Sequence, residues 1–88
     1  MNDNTMLRYA RLYQAYCGVV AYYGELARSL SSDFLVMKAA EQCCYKLDSA
    51  KKILNRIKKN ATLRRDLNNI LRYEGNLLMQ DNGNQQNL

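Results

Sequence analysis

The residues of this chain best suited to chemistry are the cations of its middle third. Lys46, Lys51, Lys52, Arg56, Lys58, Lys59, Arg64, Arg65 and Arg72 fall within residues 46–74 beside only Asp48, Asp66 and Glu74, nine cations against three acids. Residues 1–45 instead balance Arg8, Arg11, Arg28 and Lys38 against Asp3, Glu25, Asp33 and Glu41, so the overall charge of +5 belongs to the middle. At helical spacing Lys52, Arg56 and Lys59 share one outward strip, Arg64 and Arg65 open the next segment, and Arg72 continues its outer face. Such a set neutralises phosphates and gives salt-dependent binding. The expected anion-binding residues are therefore Lys52, Arg56, Lys59, Arg64, Arg65 and Arg72. Their expected partner is a nucleic acid, a nucleotide-like ligand or an acidic protein surface. A solvated lysine face is the plainer use of the same residues, and the density of charge sets anion binding beside it.

Tyrosine is the second unusual residue type. Seven occur, five of them (Tyr9, Tyr13, Tyr16, Tyr22, Tyr23) within the first 23 residues. Tyrosine combines apolar area with a polar handle, which suits interfaces and nucleic-acid stacking platforms. Because Tyr9, Tyr13, Tyr16 and Tyr23 share one heptad stripe with Val20, packing is favoured over stacking. Tyr9, Tyr13, Tyr16, Val20 and Tyr23 are the expected self-association surface, in a homo-oligomer.

Catalytic constellations are missing from the sequence. There is no histidine, the carboxylates stand singly, and neither a glycine-rich phosphate loop nor a nucleophile elbow occurs, so the reading is non-enzymatic, with no cofactor and no metal. Cys17, Cys43 and Cys44 are an odd count, and neighbours on a helix point about 100° apart; they read as reduced packing residues. No charged leader with a cleavage site opens the sequence and no apolar run approaches a bilayer's thickness, so a cytoplasmic protein without membrane attachment is expected. Asn60-Ala61-Thr62 is then a chance glycosylation sequon.

The elements that position these residues are all helical, since proline is absent and no β-branched alternation occurs. The expected fold is all-α: a long antiparallel helical hairpin plus a shorter third helix, self-associating into a helical bundle. Helix one is expected over about 5–30, capped by Asn4 or Thr5, with two apolar stripes: Met6, Tyr9, Tyr13, Tyr16, Val20, Tyr23, Ala27 and Leu30, and beside it Leu12, Ala15, Val19, Tyr22 and Leu26. That arc exceeds what one coiled-coil partner covers. Gly18 and Gly24 mark close backbone approach or are simply tolerated. Ser31-Ser32-Asp33 punctuates the turn. Helix two is expected over 32–59, because Val36, Ala40, Cys43, Leu47, Ala50, Leu54 and Ile57 alternate steps of four and three without a miss, as a coiled-coil seam does. The phase breaks near Asn60, so a third helix is expected over about 62–79, and residues 80–88 read as a disordered polar tail after a single domain.

In function the expectation is an oligomeric binding protein engaging an anionic partner through its basic region, of a size and composition that would suit a phage- or plasmid-type regulator or inhibitor of a host machine. The alternative is a purely structural assembly protein acting through helix packing.

Overall fold

The computed structural model describes the backbone of residues 2–86 and the side chains of residues 2–73. Among the described residues there are four α-helices and no strand: α1 (Asp3–Tyr23), α2 (Ser32–Cys43), α3 (Leu47–Lys59) and α4 (Ala61–Gln86). The class is all-α, as expected. No described helix is long and apolar enough to cross a membrane.

Three of the four helix starts have a side-chain cap, and α3, which begins after Lys46, has none. The Asn2 carboxamide accepts from the Thr5 amide at 2.8 Å, two residues earlier than the expected cap, and Ser31 Oγ accepts from the Phe34 amide at 3.1 Å. Asn60 Oδ1 accepts from the Leu63 amide at 3.0 Å, so one residue separates α3 from α4.

Two of the expected helices are corrected. Helix one stops as an α-helix at Tyr23, because Gly24 takes φ +58° and its amide closes back on the Val20 carbonyl; a short 3-10 segment, Gly24–Arg28, follows. At neither Gly18 nor Gly24 would an added Cβ meet an atom of the chain within 4 Å, so neither serves a close backbone approach within the chain; Gly24 serves by its positive φ. The expected helix over 32–59 is two helices. Cys44 sits in the left-handed region at φ 60°, ψ 37°, and the amides of Cys44 and Tyr45 both turn back to the Ala40 carbonyl, the latter at 2.9 Å. This closes α2 in the manner of a Schellman cap, and α3 begins after the turn at Leu47. The heptad nevertheless reads true as a record of burial. Val36, Ala40, Ala50 and Ile57 are buried and Cys43, Leu47 and Leu54 half-buried, although the helix carrying them is interrupted. The third helix begins near its expected place and extends through Gln86, past the expected stop at 79. The tail expectation bears on residues 80–88, whose side chains lie outside the described residues, as residues 87 and 88 do altogether.

Helix α1 is the centre of the arrangement and touches each of the other three. It runs antiparallel to α2: Tyr23 meets Phe34 with ring centroids 5.8 Å apart, and the Cys43 thiol reaches the Arg11 carbonyl at 3.7 Å. The core has two compartments along α1. Leu12 and Val19 pack with Leu35, Val36, Ala39 and Ala40 of α2 and Ala50 of α3. Toward the other end, Ala10 packs with Ile57, Leu63 and Leu67 of α3 and α4. Ile53 and Leu54 of α3 border both compartments, so α3 is the strut that joins them.

Candidate anion-binding surface

Helix α3 is sharply two-sided. Its apolar residues Leu47, Ala50, Ile53, Leu54 and Ile57 are buried or half-buried, while Lys51, Lys52, Arg56, Lys58 and Lys59 are exposed. Its single acid, Asp48, stands in the first turn, where a carboxylate complements the positive end of the helix dipole, and Arg56, Lys58 and Lys59 stand in the last turn, where cations complement the negative end. The amphipathic pattern that buries one face therefore presents five cations to solvent on the other.

The expected site residues divide by what their side chains do. Lys52, Arg56 and Lys59 are exposed on α3, and Arg65 and Arg72 are exposed on α4. Arg65 Nε lies 3.8 Å from Asp66 Oδ1, a solvent-exposed pair worth little. Arg64 is placed differently. Its Nη1 donates to the Ile57 carbonyl at 3.2 Å and to the Lys58 carbonyl, so its charge caps the C-terminus of α3. Lys51 is also engaged, at 3.0 Å from Asp33 Oδ1 at the start of α2. Capping by Arg64 escapes a reading by composition; the usable signal is an arginine on the first turn of a helix joined to its predecessor by one residue.

The turn at Cys44 also breaks the extended basic strip. Lys38 and Tyr45 would have continued the line of Lys52, Arg56 and Lys59 on an uninterrupted helix. Instead the Lys38 ammonium lies 5.6 Å from the centre of the Phe34 ring, and Tyr45 lies under the Arg8 guanidinium at 5.5 Å.

The five residues expected to meet a second copy are all half-buried in the chain's own core. Tyr16, Val20 and Tyr23 border the α1–α2 compartment, and Tyr9 and Tyr13 border the α1–α4 compartment. Burial pushes the Tyr13 hydroxyl above its ordinary pKa, with Cys17 adding to the rise and Asn68 and Arg64 opposing it. Burial likewise raises the Cys43 thiol, with Cys44 adding and Arg11 opposing. Free Cys17 and Cys44 are exposed. Among the described residues no group of three His, Cys, Asp or Glu is arranged to hold a metal ion. No protein family model, curated protein or solved structure matches the chain.

Proposed function

We propose that the protein is a non-enzymatic binding protein that engages an anionic partner through the outward face of α3, with Arg65 and Arg72 of α4 extending the surface. The observation that carries this reading is the division of α3, whose apolar side is used up by two core compartments while its cationic side faces water. Lys52, Arg56 and Lys59 rise about 6 Å and then about 4.5 Å along the helix axis. That is a ladder suited to successive backbone phosphates, so nucleic acid is favoured among the anionic partners. Phosphate contacts of this kind position a ligand without reading bases.

The test is a salt titration of duplex DNA binding. Affinity should fall with salt at a log–log slope near −0.9 for each phosphate neutralised. Changing Arg56, Lys59 and Arg65 together to glutamine should weaken binding and flatten the slope while the helical content stays the same. Unchanged affinity in the triple variant would remove α3 from the interface.

A second reading, structural self-association, is supported by Leu26 and Tyr73, large apolar side chains 64% and 65% exposed. A second copy would meet these together with the part of the tyrosine stripe that the chain leaves exposed, since Tyr9, Tyr13, Tyr16, Val20 and Tyr23 are half-buried. Light scattering of the unaltered protein against Leu26→Glu/Tyr73→Glu separates the two: a monomer in both leaves the binding reading alone.

A further inference from the structure

Two open cavities flank Gln42 of α2, and together they form a trough along the α1–α2 boundary. One, of about 490 Å³, is lined by Gly18, Val19, Tyr22, Tyr23, Lys38 and Gln42. The other, of about 360 Å³, is lined by Arg8, Arg11, Gln42, Cys43, Cys44 and Tyr45. No residue of the basic face of α3 lines either cavity, and no carboxylate does.

The lining has a definite chemistry. Arg8 and Arg11 stand at one end and Lys38 toward the other, and among the described residues none of the three belongs to an ion pair. Tyr22 is 83% exposed and its ring is held edge-on to Tyr23 at 5.1 Å. Tyr45 is half-buried against the core and its ring lies under the Arg8 guanidinium at 5.5 Å, which fixes that cation at the end of the trough. Gln42 offers both a donor and an acceptor midway. Gly18 contributes no side chain where any other residue would stand in the trough.

We infer that this trough binds single-stranded nucleic acid, with a base on Tyr22 and backbone phosphates on Arg8, Arg11 and Lys38. An aromatic face set in a cationic groove is the feature by which strands are held without sequence preference. From Arg11 to Tyr22 the helix rises about 16 Å, room for roughly four or five nucleotides at the stacked spacing of about 3.4 Å. The openness of both cavities argues for a strand over a free nucleotide, because small-ligand sites enclose most of their ligand. The inference is independent of the α3 reading, since it uses a different surface and a different form of ligand.

The thiols provide the test. Cys44 lines the trough, whereas Cys17 is equally free and exposed but lies outside it. With a saturating oligothymidylate of ten nucleotides, alkylation of Cys44 should slow at least fivefold while that of Cys17 stays unchanged. Gly18→Glu should raise thermal stability, since glutamate is a better helix former than glycine, and yet weaken oligothymidylate binding at least tenfold by placing a carboxylate in the trough. Tyr22→Ala should weaken it about tenfold with the fold intact. Binding that leaves Cys44 fully reactive, equal protection of both thiols, or a Gly18→Glu variant that binds as tightly as the parent would each overturn the proposal. None of these results bears on duplex binding by α3, which the Arg56/Lys59/Arg65 variant reports.

Discussion

The Arg64 guanidinium closes the C-terminus of α3 by donating to the Ile57 carbonyl at 3.2 Å and to that of Lys58. A cation in the most basic part of the chain is thereby committed to holding the neighbouring helix. Its role and that of Arg56 are separable by substitution. Arg64→Gln should cost about 1.5–3 kcal/mol of stability, the range for hydrogen bonds involving a charged group, and leave duplex affinity within about twofold. Arg56→Gln should do the reverse. Denaturant melts paired with a binding isotherm check both, and a salt slope flattened as much by Arg64→Gln as by Arg56→Gln would refute the division.

Two positions with positive φ should respond in opposite senses to substitution. Cys44 pays a steric penalty in the left-handed region, so Cys44→Gly should stabilise by up to about 1 kcal/mol. Gly24, at φ 58° and ψ −126°, has a conformation that a Cβ strains, so Gly24→Ala should destabilise by about 1–3 kcal/mol. Thermal melts of the two variants read the result directly. A Cys44→Gly variant less stable than the parent would mean that the Cys44 side chain contributes more than its backbone costs.

Alkaline pH should destabilise the fold in two steps. The Cys43 thiol and the Tyr13 hydroxyl both titrate above their ordinary values of 9.0 and 10.0 in the folded chain, chiefly because burial disfavours the charged forms. The native state then holds protons that the unfolded chain releases, so stability falls with rising pH. The contribution of each group is fully present below its unfolded value and is lost as pH rises through the folded one. Melting temperature should decline first above about pH 9 and further above about pH 10. Cys43→Ser should remove the first decline, and an identical profile in that variant would assign it to other groups.

What was legible in the sequence follows from what periodicity measures. The run from Val36 to Ile57 identified which residues meet the core, and they do, but burial can continue in phase across a turn. The break at Cys44 carries no glycine, proline or cap signature, and the turn is held by the backbone amides of Cys44 and Tyr45 on the Ala40 carbonyl. Ser31 and Asn60 could be read, because their side chains cap locally whatever the rest of the chain does. The exposed strip of Lys52, Arg56 and Lys59 was equally legible, since it is the complement of the apolar face of α3. The tyrosine stripe was legible as a packing surface, but the contacts of Tyr9 and Tyr13 within the chain were not, because splitting the second helix brings α3 and α4 against α1 beside them. The trough was hidden for a related reason: Arg8, Arg11, Gly18 and Tyr22 lie on one helix, but Gln42 and Tyr45 join them only through the antiparallel register of α2 and the turn after it.

The corner at Asn60 bears on how the chain acquires its shape. Asn60 caps α4 over a separation of three residues, and Arg64 caps α3 over six and seven. By contrast, the thiol-to-carbonyl contact between Cys43 and Arg11 spans 32 residues. Loop closure costs more entropy as the loop lengthens, and local contacts are the ones that speed folding. The α3–α4 corner therefore has the means to form before α1 is in place, as a local nucleus on which the N-terminal helices dock. In pulse-labelling hydrogen exchange, the amides of Leu63 and Arg64 would then become protected ahead of those at the end of α2.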